Sequence, residues 1–60
     1  MFYLLLSNIY GEFIGLTPEL RDAQELADKE IKEHVGEKLH VLIYEVDPKS
    51  LKKKLICVVD

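Results

Sequence analysis

Cys57, His34, His40 and a set of carboxylates are the side chains of this 60-residue chain whose types could do chemistry. A reactive cysteine needs an electropositive, partly open setting that stabilises the thiolate. Cys57 instead sits between Ile56 and Val58, in phase with Leu55 and Val59, and reads as a small buried hydrophobe. His34 follows Glu30 by one helical turn, so the two share a helix face. With Glu33, Glu37 and His40 they are the available metal ligands, but their spacing matches no tight zinc signature. His34 near a helix C-terminus suits the helix dipole in its protonated form, and His40 reads as a strand-edge residue. Acid–base catalysis needs two carboxyl groups converging in a cleft with separated pKa values. The acids here alternate with lysines and an arginine along one segment, which is the pattern of a solvated face. No Ser/His/Asp arrangement, glycine-rich phosphate loop or dinucleotide fingerprint occurs. Gly11 and Gly15 read as turn and packing glycines. The expectation is a protein that is not an enzyme, with no catalytic residue, no metal site and no cofactor.

Tyr3, Tyr10 and Tyr44 together with Lys52, Lys53 and Lys54 carry the one nucleic-acid argument. Bases stack on sheet-borne aromatics while lysines meet phosphates. A weak nucleic-acid-binding module built on Tyr44 and Lys52–Lys54 is therefore the alternative reading. Charge speaks against it. Residues 1–37 carry eight acids against three bases, −5, and residues 38–60 carry five lysines against three acids, +2. Nucleic-acid affinity leans on phosphate neutralisation, and a Lys-Lys-Lys run also serves to keep an edge strand from pairing with strangers.

The elements that must position these residues are legible from pattern. Phe2–Ser7 reads as a strand. Asn8-Ile9-Tyr10-Gly11 reads as a turn, and Glu12–Leu16 as a short second strand in a hairpin. Thr17 is a good N-cap and Pro18 suits the first helical position. Leu20, Ala23, Ala27, Ile31 and Val35 form one apolar stripe, with Leu26 off it. Glu25–Lys29 and Asp28–Lys32 have the favourable acid-before-base spacing, and Gly36 is placed to end the helix. Leu39–Asp47 is a strand, Asp47-Pro48-Lys49-Ser50 a turn, and Leu51–Asp60 the last strand.

The expected fold is a single α+β domain over residues 1–60. It has two layers, ββαββ, with one helix on one face of a four-stranded mixed sheet. The first and last strands are placed side by side and parallel, giving the order 2-1-4-3 with a right-handed crossover. The other layout places Leu39–Val46, the most uniformly apolar strand, at the centre, or exchanges a strand between chains. In length and element order the chain resembles the immunoglobulin-binding domains of streptococcal protein G and, more loosely, the β-grasp or ubiquitin-like group. The likeness covers the layout and no motif, so no binding residue carries over. The C-terminal Gly-Gly of ubiquitin-like modifiers is absent, the chain reading Val58-Val59-Asp60. That departure counts against a conjugation or thiocarboxylate role.

Three strands are apolar on both faces, and one helix covers only one of them. A sheet with one wet face alternates apolar and polar residues. A chain of this length buries roughly 60% of its unfolded surface and is marginal alone. One cysteine permits no internal disulfide and suits a reducing compartment, so oligomerisation is the remaining source of stability. Met1–Leu6 is too short to span a bilayer and lacks the basic leader of a signal peptide, so the expectation is a cytoplasmic protein without membrane association. The function expected is protein–protein interaction, as a homodimer or with another protein, through the helix-free face. Tyr3, Leu5, Leu42, Tyr44, Ile56 and Val58 are the residues assigned to it.

Overall fold

The computed structural model describes residues 1–60. Strands β1 (Phe2–Ser7) and β2 (Phe13–Thr17) form a hairpin, followed by helix α1 (Leu20–Glu33) and strands β3 (Val41–Val46) and β4 (Lys53–Val59). The element order is the one the pattern predicts. The sheet order is not: it runs β2-β1-β3-β4, with every neighbouring pair antiparallel. The mixed 2-1-4-3 sheet and the layout of the protein G domains are therefore overturned.

The physical reason lies in β4. Its first residues, Lys53 and Lys54, are exposed, as are Leu55 and Ile56, and lysines belong on an edge. β3 holds three buried residues, Val41, Ile43 and Val46, and gains most from two bonded neighbours. All six residues of β1 pair with β3, from Phe2 opposite Val46 to Ser7 opposite Val41. β2 and β3 are both antiparallel to β1, so α1 connects two parallel strands across the strand between them.

The helix starts later than expected. Thr17 stays in β2 opposite Tyr3, and its hydroxyl donates to the Glu19 carbonyl at 2.9 Å. Glu19, in extended backbone, precedes the first turn without a side-chain cap. Val35 lies beyond the helix and is exposed, so the apolar stripe ends at Ile31. Leu26, off the stripe by spacing, packs against the core directly over Gly15, where any Cβ would collide with its side chain. Lys29 reaches Glu33 at 4.0 Å in place of the expected Glu25–Lys29 and Asp28–Lys32 pairs.

Leu5, Ala23, Ala27, Leu39, Val41 and Ile43 form the buried core between helix and sheet. The two alanines let the helix backbone approach the sheet closely. Only 8 of 60 residues are buried in all, a thin interior for a folded chain. No helix is long and apolar enough to cross a membrane.

Candidate functional site

Because side chains alternate along a strand, the burial of Leu5, Val41 and Ile43 under α1 fixes what the other face carries. Register then lines the residues up in rows. Leu16, Leu4, Tyr44 and Leu55 lie side by side across four strands. Leu6, Leu42 and Val58 form the next row, and Phe2, Val46 and Lys53 the last. Lys53 is the one charged residue among these ten. Its Nζ lies 4.9 Å from the Tyr44 ring centroid, a cation–π contact that leaves its aliphatic stem along the apolar surface. Leu16, Leu55 and Val58 are exposed, Phe2, Leu4, Leu6, Leu42 and Tyr44 are half-buried, and Val46 is buried.

This placement corrects two of the assigned residues. Leu5 pairs with Ile43, is fully buried, and Tyr3 packs against the same core, so both face the helix. Phe2, Leu4 and Leu6 take their places beside Leu42 and Tyr44. Val58 falls on the helix-free face as assigned. Ile56 occupies a β-bulge, since Ile43 pairs with Cys57 and Tyr44 with Leu55; it has no partner across the strands and is 38% exposed. The bulge shifts the phase of β4 so that Cys57 and Val59 pack on the core while Leu55 and Val58 are exposed. No pattern in the sequence marks that bulge.

The basic and aromatic residues do not form one patch. Lys53 lies beside Tyr44, Lys54 pairs with Glu45 in the row of alternate phase, and Lys52 belongs to the preceding loop. Tyr3 is against the core and Tyr10 is at the tip of the β1–β2 turn. The lysine face available for a phosphate backbone is thus broken.

A cleft of about 430 Å³ opens at the end of the sheet where β1 turns into β2 and α1 ends. Ile9, Ile14 and Leu39 give it apolar walls, and Glu12, Glu30, Glu37 and His34 give it polar ones. The turn beside it is held by its own groups. Ser7, buried, takes the Ile9 amide at 2.8 Å on its hydroxyl, and the Ser7 amide donates to the Glu12 carbonyl at 2.8 Å. Tyr10 and Gly11 both have φ near +60° (60° and 62°), the backbone of a type I′ turn. Asn8 ties this end to β3 by accepting the His40 amide on its side-chain oxygen at 2.8 Å.

His34 Nδ1 donates to the Glu30 carbonyl at 2.9 Å and lies 3.7 Å from the Glu30 carboxylate. That backbone hydrogen bond is the main reason its pKa is raised above the ordinary 6.5; partial desolvation opposes it, and Glu37, Glu30 and Glu33 add to the rise. His40 Nδ1 is buried without a hydrogen bond, 3.8 Å from an Asp60 carboxylate oxygen. The two histidines sit in separate places, and no group of three or more His, Cys, Asp or Glu side chains comes together in metal-binding geometry. Cys57 is half-buried against the core. No protein-family model, curated protein or solved structure matches this chain.

Proposed function

We propose that this chain is a small, non-enzymatic protein-interaction domain that associates with a second copy of itself through the helix-free face of its sheet. One observation carries the reading: nine apolar side chains and a single lysine line up across that face with no helix over them, and all of the nine but Val46 are half-buried or exposed. The molecule exposes 4357 Å², whereas a monomeric protein of 6.9 kDa typically exposes about 4,000 Å². An apolar patch of this continuity on a free monomer is uncommon.

A second copy is the occupant that fits best. A two-fold contact must be self-complementary, and a face with almost no charge pairs with itself without like-charge repulsion. The thin interior adds a reason for a permanent rather than a passing partner, since small chains gain stability by oligomerising. Four strands about 4.8 Å apart and six residues of about 3.4 Å give a footprint on the order of 400 Å² per copy. Two copies thus cover about 800 Å² in flat projection, and side-chain relief raises the accessible area above that, toward the lower end of specific interfaces at about 1,200 Å² in total.

The test is solution mass by sedimentation or light scattering for the wild type and for Leu42→Lys. In high salt, which screens contacts between exposed charges, the wild type is expected as a dimer and the variant as a monomer. A wild type that stays monomeric at high concentration would end this reading.

A further inference from the structure

The chain's charge is divided between the two ends of its strands. Residues 47–54, which connect β3 to β4 and begin β4, hold four lysines against one aspartate, net +3. The loop is well formed: the Lys49 amide donates to the Asp47 side chain at 2.8 Å and the Leu51 amide to the Asp47 carbonyl at 2.8 Å. At its crest Leu51 has φ +60° and is 71% exposed, an aliphatic knob flanked by exposed Lys49 and Lys52. The cleft described above lies at the other end of the strands, because β3 begins opposite Ser7 and finishes opposite Phe2. It is the inverse of the loop: apolar walls of Ile9, Ile14 and Leu39 with three glutamates, Glu12, Glu30 and Glu37, and one histidine, His34, around them.

We propose that the Lys49–Lys52 loop of one copy docks into the cleft of a second copy, with Leu51 against the apolar walls and the lysines against the carboxylates. Charge complementarity selects the occupant. A cleft bearing three glutamates attracts a basic protrusion and repels this chain's own acidic helix surface, and opposite potentials steer such encounters. Because loop and cleft sit at opposite ends, the contact is head-to-tail: it leaves a free loop on one copy and a free cleft on the other. Such contacts close into rings or continue as filaments. This contact uses none of the helix-free face and stands independently of it.

The experiment follows weight-average mass by sedimentation across protein concentration in low and high salt. It compares the wild type, a cleft variant (Glu12→Lys with Glu37→Lys), a loop variant (Lys49→Glu with Lys52→Glu), and one chain carrying all four changes. All four positions are exposed, so each chain is expected to keep the wild-type circular dichroism. The wild type is expected to grow beyond a dimer in low salt, and high salt is expected to weaken that step roughly tenfold or more, as screening of exposed charges requires. Cleft and loop variants each stop growing, and the fourfold variant grows again because the charges are exchanged. Loss of the sheet-face dimer would lower the starting mass of every chain alike and leave this comparison intact. A wild type whose mass is the same in both salts, or a fourfold variant that stays as small as its parents, overturns the proposal.

Discussion

Leu42→Lys can be made quantitative through the linkage between folding and association. Leu42 lies in the middle row, with Leu6 on one side and Val58 on the other. In a sheet-on-sheet dimer the two faces pack about 10 Å apart, and an ammonium at that position meets no acid, because the only charge on the face is Lys53. Burying it unpaired costs several kcal/mol, enough to abolish the dimer at millimolar chain. In the monomer the same lysine reaches solvent and loses only part of the leucine packing. The assay is thermal unfolding in high salt, which screens the loop–cleft contact, at about 10 μM and about 1 mM chain, where mass action makes the melting point of a dimer concentration-dependent. A hundredfold change is worth about 2.7 kcal/mol per dimer, or about 1.4 kcal/mol per chain. At roughly 4–8 °C per kcal/mol for a chain of this size, the wild-type melting point should rise by about 5–11 °C. Leu42→Lys should melt at one temperature at both concentrations. Val58→Lys, on the edge strand and already half exposed, should remove the slope with less harm to the fold. Gln24→Lys, on the exposed side of α1, should leave the slope in place. A wild type with a flat concentration dependence, or a Leu42→Lys variant with the wild-type slope, refutes the reasoning.

Tyr10 holds φ +60° while 94% exposed, so it bears left-handed backbone without compensating burial; Tyr10→Asn should stabilise by about 1–2 kcal/mol, read as a higher denaturant midpoint. Gly15→Ala should destabilise by about 1–3 kcal/mol, the usual cost of overpacking, because its methyl meets Leu26. In a double-mutant cycle with Leu26→Ala the Gly15→Ala penalty should largely vanish, and an unchanged penalty would point to backbone strain instead. His34 titrates above 6.5 when folded, so its contribution to stability is fully present below the unfolded value of about 6.5 and is lost as pH rises through the folded-state pKa. Its NMR titration midpoint should lie above that of the denatured chain, and His34→Gln should remove this part of the pH dependence of unfolding near neutrality.

The helix was legible because two independent signals agree on it: the Ala23–Ala27–Ile31 spacing, and punctuation by Pro18 and Gly36. Each end still moved. Thr17 is as good a strand residue as a cap, and pairing with Tyr3 won. The hairpins were legible from their turn residues, the 47–50 turn forming around Asp47 as its side chain and carbonyl both take up backbone amides. Strand order was less accessible, although two signals point the right way: the uniform apolarity of Leu39–Val46, which suits the inner place β3 occupies, and the lysines of the last strand. Lys52-Lys53-Lys54 marks an edge, which is incompatible with the central place that a 2-1-4-3 sheet assigns to the last strand. Two-sided apolarity in Leu55–Val59 points the other way, and the bulge at Ile56 is what lets that segment pack Cys57 inward and still lie at the edge.

The helix-free face was legible as a need but not in its membership. A strand with one polar face declares its phase, since a slip of one residue would bury the polar set. β1 declares nothing: Phe2, Leu4 and Leu6 serve a core as well as Tyr3 and Leu5 do. Only pairing with β3 decides, by setting Leu5 beside Ile43 and Leu4 beside Tyr44. The same degeneracy bears on function. A strand in a sheet covered on one side gains no stability from leucines at its wet positions, and they add an aggregation hazard that alternation with polar residues would remove. Leucine at positions 4, 6 and 42 is therefore consistent with a second layer of protein, and the ambiguity of phase in β1 and the proposed contact with another copy have one physical origin.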